Sequence, residues 1–85
     1  MIGTDASVAA SIRKFLTDEL IKGKEAGEIT DETDLVKTGI VDSINVLRLV
    51  GFLEEEYDIE LEPSDVQQLT SIRNMTGVVA ARRAA

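Results

Sequence analysis

The hydrophobic pattern predicts an amphipathic helix near the amino terminus. From Thr4 onward, large apolar side chains recur at spacings of three and four residues, which is the period of one helical face. Gly23 is expected to end this helix. The apolar positions of its buried face are Val8, Ile12, Phe15, Leu16 and Leu20.

The next segment, 22–39, has neither a helical nor a strand period. It mixes three glycines with clustered charges, and we predict a long ordered loop that Ile29, Leu35 and Val36 attach to the core. Its carboxylates lack the alternating ligands and the closing glutamate of a calcium-binding loop, so we expect a solvated acidic loop and no metal site. These carboxylates belong to Glu28, Asp31, Glu32 and Asp34.

A second helix is predicted from the motif "DSI", with Asp42 as its N-cap. One face carries the apolar residues Val46, Leu49, Val50, Leu53 and Tyr57, and we expect it to lie in the core. Ile44, Leu47 and Gly51 lie on a neighbouring face with Arg48, beside Ser43. Exposed apolar groups at such a position indicate contact with a partner.

The remaining pattern predicts two more helices. Pro63 fits the first turn of a short helix that ends near Leu69, with Val66 and Leu69 facing inward. Thr70 or Ser71 then caps a last helix, whose buried positions are Ile72, Met75 and Val79 and whose carboxyl end carries Arg82 and Arg83. No segment requires a sheet. We therefore predict an all-α fold with one domain over 1–85: a small bundle of three main helices and one short helix.

Composition narrows the possible functions. The chain has 9 Lys and Arg against 16 Asp and Glu, a net charge of -7, which disfavours nucleic acid and anionic membranes as partners. No stretch is apolar for long enough to span a membrane, and the amino terminus lacks the pattern of a secretory leader. We expect a cytoplasmic protein without membrane insertion, and a monomer.

Ser43 raises a chemical question because the chain contains no histidine and no cysteine. No obvious base is present to activate the hydroxyl, so catalysis by this chain is not expected. Two interpretations remain open. Asp42 and Ser43 could simply begin a helix, or the unpaired N–H groups and positive end of that helix could favour a phosphate attached covalently to Ser43.

The segment 39–72, "GIVDSINVLRLVGFLEEEYDIELEPSDVQQLTSI", resembles carrier proteins of the acyl carrier type. Shared features are the Asp-Ser-Ile motif opening a helix, the Leu-Glu-Glu and aromatic residue at its end, a short third helix, and a threonine before the fourth. The resemblance implies that a phosphopantetheinyl transferase attaches 4'-phosphopantetheine covalently to Ser43. The thiol of this cofactor then holds cargo as a thioester. It also implies that Asp42 helps to align the serine, and that Ile44, Leu47 and Arg48 form the surface that partner enzymes contact.

Two details of the resemblance bear on the cargo. Ile40 and Val41 separate Gly39 from the motif, as is similar to D-alanyl and aminoacyl carrier proteins, whereas fatty-acid carriers usually have one residue there. Arg48 stands where fatty-acid carriers commonly have an acidic residue. The preferred hypothesis is therefore a non-catalytic aminoacyl carrier, loaded by an adenylating ligase and unloaded by a downstream transferase. The alternatives are an acyl carrier of a specialised fatty-acid or polyketide pathway and an unmodified helical interaction module.

Overall fold

The computed structural model of the protein describes residues 5–21 and 29–84. Helix α1 spans Asp5–Phe15 and continues directly into a π-helical segment, Leu16–Ile21. Helices α2, α3 and α4 span Asn45–Tyr57, Pro63–Val66 and Ile72–Ala84. The described residues contain no strand, and the predicted all-α bundle is confirmed. Thr4 and Gly23, the predicted ends of the first helix, lie outside the described residues.

Helix α1 packs against α4 through the face that its period predicts. Val8, Ile12 and Leu16 are buried, at 4%, 0% and 1% exposure. Phe15 is half-buried and stacks on Phe52 of α2, with 4.3 Å between the ring centroids. The continuation of α1 as a π-helix was not predicted, because the apolar spacing of three and four residues does not distinguish the two helical forms at a helix end.

Helix α2 presents a narrower buried stripe than predicted. Leu49 and Leu53 are completely buried, whereas Val46, Val50 and Tyr57 are only half-buried against the core. The helix ends at Tyr57 and is capped by Asp58, whose φ of 53° places it in the left-handed region and whose N–H donates to the carbonyl oxygen of Glu54. The prediction that this face enters the core is confirmed, and its centre lies on the two leucines.

The two carboxyl-terminal helices begin where the sequence places them. Pro63 occupies the first turn of α3, and this helix ends at Val66, three residues before the predicted end. In α4, Ser71 provides the predicted cap because its Oγ accepts a hydrogen bond from the N–H of Asn74 at 3.1 Å. Ile72, Met75 and Val79, predicted to be buried, are 0% exposed.

Charged contacts attach the loop after 28 to two helices. Arg13 donates to the Asp31 carboxylate at 2.9 Å and to the carbonyl oxygen of Ile29 at 2.7 Å. Arg73 of α4 donates to the Glu32 carboxylate at 2.7 Å. The expected solvated acidic loop is confirmed at these two positions, whose side chains are 51% and 71% exposed, whereas their ion pairs with arginines distant in sequence were not predicted. Glu28 lies outside the described residues.

Leu35 is the main apolar anchor of the loop. It is 0% exposed, and its N–H donates to the carbonyl oxygen of Thr70 at 2.7 Å. The predicted ordered loop is thus confirmed over its described part. The prediction for Val36 is wrong: its side chain is 50% exposed, since the turn that buries Leu35 directs the next residue outward.

The α3 and α4 segments are also joined by an ion pair. The Nε of Arg82 donates to Asp65 Oδ2 at 2.7 Å, and Asp65 Oδ2 also accepts the N–H of Glu62 at 2.9 Å. The hydrogen bond from Arg82 and then that from Glu62 hold the pKa of Asp65 below its usual range. Asp65 is buried, and this pair connects the short helix to the carboxyl end of α4.

Candidate functional site: the turn before helix α2

Buried apolar residues attach the turn that leads into α2 to the core. Ile40 and Val41 are 8% and 4% exposed, and the Val41 N–H donates to the carbonyl oxygen of Leu35 at 2.9 Å. Gly39 precedes them with a φ of 81°, a conformation that favours glycine. The two residues between Gly39 and the "DS" motif are therefore core residues, a role that their place in a loop did not indicate.

Asp42 caps the start of α2 as predicted. Its Oδ1 accepts the N–H groups of Ile44 at 3.0 Å and of Asn45 at 2.7 Å, and its carbonyl oxygen accepts the N–H of Val46 at 2.9 Å. Regular helix begins only at Asn45, because Ser43 and Ile44 form a turn that leads into it. Ile44 is the residue that directly precedes the helix, yet it has no side chain able to cap, so we assign the capping role to Asp42 from its hydrogen bonds.

Asn45 strengthens this turn from the other side. Its Nδ2 donates to the carbonyl oxygen of Ile40 at 3.0 Å, which connects the first residue of α2 to the buried segment before the motif. Sequence reasoning missed this residue. The signal in the sequence was a polar residue at the third position after the cap. Side chains at this position often form hydrogen bonds back to the turn.

Ser43 lies in the middle of this turn and is exposed to solvent. The hydroxyl is therefore accessible to an external enzyme, while the backbone around it is held by the bonds of Asp42 and Asn45. No group of three or more potential metal-ligating side chains occurs among the residues that the structure describes. The turn thus presents Ser43 at the surface, at the positive end of the α2 dipole.

One expectation about this helix start is wrong. The N–H groups of Ile44, Asn45 and Val46 are not available to bind a phosphate, because all three donate to Asp42. The next N–H, that of Leu47, donates to the carbonyl oxygen of Ile44 at 3.2 Å. A phosphate on Ser43 would be held by its ester bond and would not find a cradle of free amides at these positions.

The predicted partner-contact residues lie at the start of α2: Ile44 directly precedes the helix, and Leu47 and Arg48 are in its first turn. Ile44 and Leu47 are each 71% exposed, the two most exposed large apolar side chains that the structure describes. Arg48 does not extend freely into solvent beside them. It donates to the carboxylate and to the backbone carbonyl oxygen of Glu19, in the π-helical segment after α1.

A known protein family matches the segment that contains this exposed serine. The model of the phosphopantetheine attachment site family matches residues 19–79, which include the motif, the whole of α2 and α3, and most of α4. The chain belongs to this family. Members are carrier proteins with 4'-phosphopantetheine covalently attached to a serine, and they are generally not catalysts themselves.

The residues of this carrier protein fit such a group. An exposed serine on a hydrogen-bonded turn meets the chemical requirement for a phosphodiester link. One enzyme must reach the hydroxyl to form the link, and other enzymes must then reach the attached group. When attached, the group supplies the thiol that the chain lacks, since the sequence contains no cysteine. Within the described part of the carrier, no helix has the length and apolar character needed to cross a bilayer.

Proposed function

We propose that Ser43 is the serine that carries 4'-phosphopantetheine. The observation that carries this proposal is the exposed position of Ser43 on a turn that Asp42 holds through two hydrogen bonds. Ser7 and Ser11 fall outside the matched segment 19–79. Ser71 is buried and uses its hydroxyl oxygen to cap α4. Ser64 is exposed but lies inside the four-residue helix α3, and not on a turn that leads into a helix.

The chain itself contributes placement in this function. Asp42 holds the backbone after Ser43 because its carboxylate accepts the N–H groups of Ile44 and Asn45, and this lowers the entropy cost of ordering the turn when the transferase binds. The partner surface that we propose consists of Ile44, Leu47 and Arg48. The exposure of Ile44 and Leu47 supports their part in this surface. The charge of Arg48 reaches a partner only when its ion pair with Glu19 opens or when the partner shares that pair.

The cargo that we propose is an amino acid, loaded by an adenylating ligase and passed to a downstream transferase. The two-residue spacing between Gly39 and Asp42 supports this class. Burial of a charged ammonium group is costly, so an aminoacyl group is expected to remain in solvent. The alternative is an acyl carrier of a specialised fatty-acid or polyketide pathway.

The attachment site is tested by the intact mass of the protein after incubation with coenzyme A and a broad-specificity phosphopantetheinyl transferase. Wild-type protein is expected to gain one phosphopantetheine group, and Ser43→Ala none. Ser64→Ala is the matched control and is expected to gain the group as wild type does. Modification of Ser43→Ala, or loss of modification in Ser64→Ala, would contradict the assignment.

The cargo is tested on the protein purified from the cells that produce it. Its intact mass is measured before and after hydroxylamine, which cleaves thioesters and leaves the phosphodiester in place. The mass lost is expected to equal an aminoacyl group. Loss of a malonyl or a longer acyl group would instead support the acyl-carrier alternative, and the absence of the arm in this material would favour the unmodified interaction module.

We further propose that the carrier acts as a monomer in the cytoplasm.

A further inference from the structure

Asn45 joins the two sides of the turn that contains Ser43. Its Nδ2 donates to the carbonyl oxygen of Ile40, on the side before the serine, at 3.0 Å. Its N–H donates to Asp42 Oδ1 at 2.7 Å. Because the first of these bonds spans five residues, Ser43 lies between its donor and its acceptor. One side chain at the start of α2 therefore connects the chain after the serine to the chain before it.

The acceptor of the side-chain bond belongs to the core. Ile40 is 8% exposed, and the next residue, Val41, is 4% exposed and donates its N–H to the carbonyl oxygen of Leu35 at 2.9 Å. The bond from Asn45 is itself partly buried, and a hydrogen bond in such a place is stronger than one in water. Asn45 thus links the start of α2 to a core segment on the other side of Ser43.

A second asparagine shows what this residue type does at a helix start that carries no modification site. The N–H of Asn74, in the first turn of α4, donates to Ser71 Oγ three residues before it. Its Nδ2 donates to Thr70 Oγ1 at 2.8 Å, in an exposed bond between two side chains four residues apart. Asn45 has the same backbone contact with a cap three residues before it, but its side chain reaches a main-chain carbonyl oxygen across the serine. The start of a helix does not by itself require this longer reach.

We propose that Asn45 is a positioning residue for the modification of Ser43. In that reaction the serine Oγ forms a bond to the β-phosphorus of coenzyme A, and the P–O bond of the pyrophosphate breaks. Adenosine 3',5'-bisphosphate leaves, and the hydroxyl proton passes to the transferase or to solvent. Such a displacement needs the attacking and leaving oxygens roughly in line, so a small shift of the Ser43 backbone lowers the rate.

The bond from Asn45 to Ile40 limits this shift from within the chain. Asn45 acts through the backbone of Ser43 and does not need to touch the transferase or coenzyme A. The inference rests on the proposed function, since it requires that a transferase act at Ser43.

The test compares substitutions at the two asparagines in the full chain. Asn45→Ala and Asn45→Asp remove the side-chain donor, and the second also keeps the size of the side chain. Asn74→Ala and Asn74→Asp are the matched controls, because they make the same changes at the start of another helix. A carboxylate is compatible with the positive end of either helix. Circular dichroism melts are expected to show four folded helical proteins. Amide hydrogen exchange at Ile44 is expected to be faster than in wild type only in the two Asn45 variants.

The deciding measurement is the single-turnover rate of modification, with coenzyme A in excess and the transferase varied up to saturation. The saturating rate is expected to fall about fivefold in both Asn45 variants, because the reacting oxygen is less well placed, and to match wild type in both Asn74 variants. The transferase concentration that gives half of this rate is expected to stay within about twofold of wild type in Asn45→Ala.

Three results would overturn the inference while leaving modification of Ser43 intact. The first is a saturating rate equal to that of wild type in Asn45→Ala. The second is an equal loss of rate in Asn74→Ala, which would make the effect one of general stability. The third is a change confined to the half-saturating concentration, which would make Asn45 a contact residue for the enzyme. Failure of the wild-type chain to be modified would instead overturn the proposed function itself.

Discussion

Arg48 of α2 donates two hydrogen bonds to Glu19, one to its carboxylate at 2.8 Å and one to its backbone carbonyl oxygen at 3.3 Å. The two residues are 29 positions apart, and the contact connects the π-helical end of α1 to the helix that follows Ser43. Both side chains are about half exposed, at 46% and 45%. The pair therefore connects the π-helical segment to α2 near the site. It also neutralises Arg48, which is the only cation in the first nine residues of α2.

A double-mutant cycle on Arg48 and Glu19 measures the strength of this pair. Because both groups are partly solvated, we expect a coupling free energy of about 0.2–1 kcal/mol in urea unfolding of wild type, Arg48→Ala, Glu19→Ala and the double variant. The coupling should decrease in high salt. Additive effects of the two substitutions at low salt would show that the contact does not stabilise the fold.

Substitutions of Asp42 separate its capping role from its charge. Asp42→Ala removes the acceptor of two N–H groups and is expected to lower the free energy of unfolding by about 0.5–2 kcal/mol. Asp42→Asn retains an oxygen acceptor and should preserve most of this stability. Urea denaturation measures both changes. If Asn destabilises as much as Ala, then the negative charge at the positive end of the helix matters more than the hydrogen bonds.

A buried and an exposed leucine of α2 should respond very differently to truncation. Leu53 is completely buried, so Leu53→Ala is expected to cost about 2–5 kcal/mol of unfolding free energy through lost burial and the cavity that it leaves. Leu47 is 71% exposed, so Leu47→Ala should change stability by no more than about 0.5 kcal/mol. A large loss of stability in Leu47→Ala would contradict its placement on a free surface.

The Asp65–Arg82 pair should make stability depend on pH in the acid range. The pKa of Asp65 is lowered in the folded state, so its carboxylate stabilises the fold above the pKa of an unfolded aspartate, about 3.9. This contribution is lost as the pH falls through the lower, folded-state pKa. The difference in unfolding free energy between wild type and Asp65→Asn is therefore expected to be constant from about pH 5 to 8 and to shrink below about pH 4.

Urea titrations of both proteins at several pH values measure this difference and cancel the contributions of the other carboxylates. Arg82→Gln is the matched control, since it removes the main cause of the lowered pKa while leaving Asp65 ionisable. Its acid dependence should be weaker than that of wild type. A difference between wild type and Asp65→Asn that persists unchanged to pH 3 would contradict the role assigned to this pair.

The helical elements and much of the core could be predicted because their information is local. Periods of three and four residues identified Ile12, Leu16, Leu53 and Met75 as buried. Residue type and position identified Asp42 as one cap and left Thr70 and Ser71 as the two candidates for the other, which the structure assigns to Ser71. The core positions Ile40 and Val41 were missed, and Val36 was wrongly placed in the core. In a loop, no regular period links a residue number to a direction, so alternate residues could not be assigned to the inside or the outside.

The sequence by itself determined the fold class, the cap of α2 and the serine motif, because helix period, capping and motif spacing act over a few neighbouring residues. Only the tertiary structure decided which distant charges meet: Arg13 with Asp31, Arg73 with Glu32, Arg82 with Asp65 and Arg48 with Glu19. It also decided that the amides at the start of α2 are already occupied. These contacts depend on how the helices pack and on the path of the loop, and no local pattern encodes either one.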